Sequence, residues 1–190
     1  MLQFGELAWV TSIVHKLAAA TPILNRDRRG VAAIEFAVFA GLLSLVVLNT
    51  TDISFYIYQR MQVENAAQMA AQAAWKNCNL SQLPATVNCP TLSNAVQRAV
   101  QSTSLGAQVV LQTGSPAEGY YCINSSNALQ YMSDVNNRPA DCSTTGNPNL
   151  QPADYIQITT TFSYAPLFPG LTVASAFATP ITRNALMRLG

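Results

Sequence analysis

What this sequence has least of is charge. Only 10% of its 190 residues are Asp, Glu, Lys or Arg, where an ordinary soluble domain carries roughly 25%. Cations and anions nearly cancel, leaving a net charge of +1. No long basic stripe interleaves with aromatics, which excludes an electrostatic footprint for nucleic acid. Histidine is nearly missing too: His15 stands alone, early in the chain. That excludes a Ser/His/Asp or Cys/His arrangement in the later part. Neither G-x-x-x-x-G-K nor G-x-G-x-x-G occurs, so no loop is built to cradle a phosphate. There is no C-x-x-C, and a single remote histidine gives no zinc-ligand spacing. The later carboxylates, Asp52, Glu64, Glu118, Asp134, Asp141 and Asp154, show no spacing that pairs them for acid–base work. The expectation is a protein without metal, cofactor or enzymatic activity.

What the chain does hold is apolar, at 49% of its residues. Val31 to Leu48 is one uninterrupted apolar run in which Glu35 is the only ionisable residue, followed by polar Asn49 to Asp52 and the aromatic flank "ISFYIY". A helix of about 20 apolar residues crosses a hydrocarbon core, so the run with its flank is long enough to span. A secretory signal has a shorter apolar region and a small-residue cleavage site behind it, and neither is seen here. Lys16, Arg26, Arg28 and Arg29 precede the run, while Arg60 is the first cation after it. That asymmetry puts the N-terminus in the cytoplasm and everything beyond Asp52 outside. A buried helix of a soluble protein would explain neither the length nor the charge asymmetry.

Glu35 carries the most information. A carboxylate at the centre of a span costs about 2.5–3.5 kcal/mol. The macrodipole at a helix start offsets only about 0.3–1 kcal/mol of that. One reading is a tolerated, snorkelling carboxylate. The other is a carboxylate that pairs with a positive group inside a helix assembly. A cut after Gly30 would supply such a group as the α-amine of Val31. Read as about one and a half turns away, that amine is expected to meet the Glu35 of a staggered neighbour rather than its own.

Cys78, Cys89, Cys122 and Cys142 all fall on the outer side. An even count in a small exported domain reads as a disulfide framework with three possible connectivities. Spacing favours Cys78–Cys89 and Cys122–Cys142.

Three regions follow: a cytoplasmic leader segment, 1–30; a transmembrane and shaft helix, 31–76; and a disulfide-stapled exported α+β domain, 77–190. In the leader, Phe4, Leu7, Val10, Val14 and Leu17 have the spacing of an amphipathic helix. The shaft continues past the membrane run, since Asp52 to Trp75 lacks Pro and Gly. Ile53, Tyr56, Ile57, Arg60, Glu64, Ala67, Ala71 and Ala74 are expected on its docking face, with Gln59, Gln62, Asn65, Gln68 and Gln72 opposite. Beyond it the pattern predicts a loop to Pro90, then a helix in "TLSNAVQRAVQSTSLG" stopped by Gly106. Strands are expected in "AQVVLQT", "GYYCIN", "LQYMSD" and "YIQITTTFSY" and over Ile181 to Leu189. The expected fold is α+β: a long N-terminal helix, first transmembrane and then amphipathic, packed by a small antiparallel sheet.

The stretch "RRGVAAIEF" resembles the prepilin peptidase site of Flp-type pilins: a glycine, the cut, then glutamate at the fifth mature position. Major Flp pilins have tyrosine after that glutamate and are very short, whereas this chain has Phe36 and a sizeable outer domain. Together with "QRMQVENAAQMAA" and "YAPLFPGL", the chain is similar to the TadE-like minor pilins, or pseudopilins, of the tight-adherence system. The resemblance implies a pilin-like fold and a structural role in Flp pilus assembly. It implies processing by a TadV-type prepilin peptidase at Arg28, Arg29, Gly30, Val31, Glu35 and Phe36, with Glu35 serving assembly. The implied partners are that peptidase, other minor pilins, the major Flp pilin, the assembly platform and the membrane. The implied location is the bacterial inner membrane as a single-pass protein with a periplasmic C-terminal domain, and the filament itself stays open as a destination. An unprocessed single-pass scaffold of the same apparatus and an exported adhesin-like module are the alternatives.

Overall fold

The computed structural model describes residues 28–190, with side chains from Gly30 onward. The expected leader helix, with Lys16 and Arg26, lies outside the described residues. The first element, α1, is one continuous helix, Arg28–Asn77. Alanine, leucine and glutamine dominate it, and its one interior glycine with open space around it, Gly41, does not interrupt it. The chain divides between Leu48 and Asn49 into two compact units, so residues 49–77 of α1 belong with the remainder of the fold.

Within the first unit, all side chains from Gly30 to Phe39 are exposed, including Ile34, Phe36 and Phe39. An apolar surface this continuous is not stable against water. Among the described residues, α1 is the one helix long and apolar enough to cross a membrane.

Within the second unit, the shaft buries Asp52, Gln59, Val63, Ala66, Ala67, Ala70, Ala71 and Ala74. The docking face is therefore rotated from the expected one. Ile57, Arg60 and Glu64 are exposed, while Gln59 is buried. The physical reason is side-chain size: five buried alanines, Ala66, Ala67, Ala70, Ala71 and Ala74, let the sheet approach the helix backbone, which Arg60 and Glu64 would prevent. Alanine and glutamine alternate around this helix, so the 3.6-residue period alone does not choose between adjacent stripes.

Five antiparallel strands follow: β1 Val110–Leu111, β2 Ala117–Ile123, β3 Leu129–Asp134, β4 Ala153–Phe162 and β5 Ile181–Arg188. The centre is β4. Its Thr160 and Thr161 pair with both β1 and β5, and Tyr155 to Gln157 pair with both β2 and β5. So β1 and β2 lie end to end along one edge of β4, with β5 along the other, and β3 extends the sheet beyond β2. Alternation sends Asp154, Ile156, Ile158, Thr160 and Phe162 inward. Residues 49–77 of α1 cover that face together with the shorter helix α3 (Leu92–Val100), which contributes Leu92, Val96 and Val100.

Three local expectations change. The strand in "AQVVLQT" shrinks to Val110–Leu111, because Gly106–Gln108 forms a 3-10 turn. Helix α3 ends at Val100, before the hydroxyl-rich "QSTS" and well short of Gly106. The region up to Pro90 is not plain loop but holds a 3-10 turn, Leu80–Gln82, and a one-turn helix, α2, Ala85–Asn88.

Candidate functional site

The residues expected at a processing site fall on the first turns of α1. Arg28 and Arg29 open the helix, and Val31, Glu35 and Phe36 are exposed along it. Among the described residues, a Cβ at Gly30 would meet nothing within 4 Å, so these residues make no demand for glycine there. The helical rise corrects one expectation. Val31 and Glu35 are four residues apart, about 6 Å and little more than one turn, hence on one face. Distance along the helix therefore does not separate an amine on Val31 from its own Glu35.

A second cluster was not anticipated. Asp52, counted from sequence as one more polar residue beyond the apolar run, is completely buried. Its Oδ1 accepts from the Tyr164 hydroxyl at 3.0 Å and from the Leu167 backbone N–H at 2.9 Å, and its Oδ2 accepts from the Thr172 hydroxyl. One turn earlier, Asn49 Oδ1 accepts from the Val173 N–H at 2.9 Å. Two side chains of α1 thus hold the "YAPLFPGLTV" segment as a knot. Tyr56 closes it with an edge contact to Tyr164 and a tilted contact to Phe177, at centroid distances of 4.9 and 4.6 Å. Burial alone pushes the Asp52 carboxyl up, but donors from Thr172, Leu167, Tyr164 and Phe168 outweigh it and hold the carboxyl below its usual range. Tyr164 moves the other way: burial, with the anionic Asp52 as its partner, pushes the phenol up to about 12. No local pattern pointed to these partners, which lie 112 to 120 residues downstream of Asp52.

A third cluster sits at the start of β4. Both oxygens of Glu118 are taken: Oε1 accepts from the Ala85 N–H, and Oε2 from the Thr86 N–H and hydroxyl, each at 2.6 Å. This caps α2, whose first N–H groups have no partner within the helix. Asp154 is buried beside it, and its Oδ1 has no hydrogen-bond partner. Burial, then the charge of Glu118, push the Asp154 carboxyl up to about 7, against a smaller opposing pull from Arg138. Asp154 and Arg138 line a cavity of about 290 Å³ with Leu80, Leu83 and Tyr120.

Both disulfides are local. Cys78–Cys89 ties the end of α1 to the segment entering α3, with Cα atoms 5.9 Å apart. Cys122–Cys142 ties β2 to the loop before β4, with Cα atoms 5.6 Å apart. Closing loops of 11 and 20 residues is worth about 3 kcal/mol each in chain-entropy terms. Among the described residues, no three His, Cys, Asp or Glu side chains form a group that could hold a metal ion.

A long helix, apolar enough in its first part to cross a membrane and docked under a disulfide-tied antiparallel sheet in its second, defines the α+β class of this protein. Residues 30–72 match the family model described as TadE-like protein, a structural family associated with the Tad pilus. The match begins at Gly30 and runs along α1 to Gln72, covering the apolar run, Glu35, Asp52 and most of the buried alanine stripe. No curated protein and no solved structure matches the chain.

Proposed function

We propose that this chain is a minor pilin, or pseudopilin, of the tight-adherence system. A prepilin peptidase removes residues 1–30, cutting after Gly30, and the mature protein acts structurally in Flp pilus assembly. In this reading residues 31–76 are the membrane and shaft helix and residues 77–190 the exported domain, with the N-terminus cytoplasmic before the cut. Glu35 serves assembly by pairing with the α-amine of a neighbouring subunit. Other minor pilins, the major pilin and the assembly platform are its partners.

The observation that supports this best is a coincidence of position. The family match starts at Gly30, where the fold leaves a glycine unexplained, and the first carboxylate after it is the exposed Glu35. A requirement that the fold does not make is left to an outside reader of the sequence, such as a peptidase.

Intact-mass measurement of the membrane-extracted protein, with and without a co-expressed prepilin peptidase, tests the reading. The expected product begins at Val31 and appears only with the peptidase. A full-length chain in both samples would overturn processing and favour the unprocessed scaffold.

A further inference from the structure

We infer that residues 163–180 form a foot that dips into the lipid headgroup zone beside the shaft helix. The inference rests on residues 31–48 spanning the membrane. It goes beyond that reading by assigning a second, non-helical lipid contact to the exported domain.

The attachment points carry the argument. The segment is bonded to Asn49 and Asp52, the first and fourth residues after an apolar run that ends at Leu48. Connectivity alone keeps both anchors near the end of the run. In this proposal the segment therefore shares the surroundings of Leu48.

The chemistry of the segment agrees. Leu167, Leu171 and Val173 are 47%, 62% and 58% exposed. Their apolar side chains point away from the domain while their backbone N–H groups or neighbours are held by α1. No charged residue occurs from Tyr155 to Thr182, and the one carboxylate beneath the segment, Asp52, is buried with both oxygens bonded. Residues 77–97 and 99–117 lack charge as well, so this absence does not single the segment out; it spares a loop among headgroups side chains that would have to be desolvated or to snorkel. The polar backbone left by Pro166, Pro169 and Gly170 suits the headgroup zone, where water still reaches it, and not the hydrocarbon core. Nothing in the patch is cationic, so contact would depend on apolar insertion rather than on anionic lipid.

The test uses the full chain reconstituted in phosphatidylcholine vesicles, with Trp9→Phe and Trp75→Phe removing the native indoles. Three single reporters are compared: Leu171→Trp in the foot, Leu129→Trp beside the β2–β3 turn at the far end of β4, and Phe39→Trp in the span. Val173→Trp serves as a second foot reporter should Leu171→Trp fail to form its disulfides. The foot indole is expected to be quenched by lipids brominated on the acyl chain. With iodide on both sides, it should be quenched at least about threefold less than the Leu129→Trp indole, as insertion by ~5–10 Å implies. Iodide access equal to that of Leu129→Trp would overturn the foot. So would shielding from iodide without quenching by brominated lipid, because another protein copy would then be the cover. If Phe39→Trp is quenched by brominated lipid and the foot reporters are not, the foot alone fails. If Phe39→Trp is not quenched either, the membrane reading falls with it.

Discussion

The hydroxyl of Thr160, in the middle of β4, donates a 3.0 Å hydrogen bond to the backbone carbonyl of Val63, in the middle of the buried stretch of α1. Both residues are fully buried. The alanines around Val63 make this approach possible, and the bond then fixes where along the helix the sheet sits. An apolar stripe alone is tolerant of sliding by a turn; a hydroxyl on one carbonyl is not.

Thr160→Val is therefore expected to lose about 0.5–1.5 kcal/mol, the net worth of one buried hydrogen bond, while keeping shape and volume. The Val63 carbonyl keeps its place in the helix ladder, so no acceptor is orphaned. Thr160→Ser should sit between the two, retaining the bond but leaving a methyl-sized void. Thermal melts of the full chain in detergent would show the order wild type, Ser, Val. Identical melting of wild type and Thr160→Val would mean that alanine packing alone sets the register.

Asp52→Ala removes the acceptor for three donors at once; the Tyr164 hydroxyl and the Leu167 N–H are left without a partner, while the Thr172 hydroxyl keeps only its longer bond to the Phe168 carbonyl. The knot should loosen locally while the sheet holds. Hydrogen exchange at the Leu167 amide is expected to quicken by on the order of tenfold or more, with little change in β4. Asp52→Asn keeps one acceptor oxygen and should fall between. Because its folded pKa is lowered, the contribution of Asp52 is present above the ordinary carboxylate range and is lost as pH falls through the folded value. Acid should therefore reproduce the mutant exchange pattern in the wild type, and an acid-insensitive knot would contradict the role given to the charge.

Asp154 has the opposite sign. Its folded pKa is raised to about 7, so the folded state holds this proton more tightly than the unfolded chain. Its contribution is full below the unfolded carboxylate pKa and declines as pH rises through 7. Asp154→Asn cannot ionise and its amide can donate toward Glu118. The variant is expected to melt about 2–4 °C higher than wild type at pH 8, the shift that roughly 1 kcal/mol gives in a domain of this size. The gap should narrow as pH falls below 7 and close only below the unfolded carboxylate pKa, about 4. A constant gap across that window would place the effect in packing rather than in ionisation.

Gly30→Val is expected to leave a full-length protein in cells that contain the peptidase, because a branched side chain obstructs close approach to the scissile backbone. The helix has open space at this position, so export and both disulfides should be unchanged. Normal maturation of the variant would move the cut elsewhere.

Glu35→Gln keeps size and hydrogen bonding but removes the charge. It is expected to be exported and to form its disulfides, yet to support few or no pili, while Glu35→Asp retains part of the function. Sheared surface fractions blotted for the major pilin would read this out. Full piliation with Glu35→Gln would reduce the carboxylate to a tolerated one at the helix start.

What the sequence disclosed was whatever is coded locally. The alternation of "YIQITTTFSY" and of Ile181 to Leu189 yielded β4 and β5, and "LQYMSD" gave β3 to the residue. The lack of helix breakers after Gly41 yielded the shaft. Contacts between distant segments were not readable. Asp52 finds its donors 112 to 120 residues downstream, and a lone carboxylate in a polar stretch gives no sign of them. The cap of α2 comes from Glu118, 33 residues away, whereas capping residues are sought next to the helix they cap. For the residues proposed as a processing site the position is reversed: Gly30 and Glu35 stand out in sequence, while nothing around Gly30 among the described residues calls for a glycine.

The unbroken course of α1 also has a mechanical meaning. From Leu42 to Asn77 it contains neither proline nor glycine, so a pull that enters residues 49–77 meets no glycine or proline joint at which to dissipate. The load runs parallel to the alanine stripe, as shear rather than peeling. Asp52, Gln59, Val63 and the alanines must then give way together instead of one after another. Past Asn77 the line of force enters the Cys78–Cys89 bridge, a covalent stop. Tension along the axis would be borne by the whole docked face at once, which makes the shaft a tether for its domain.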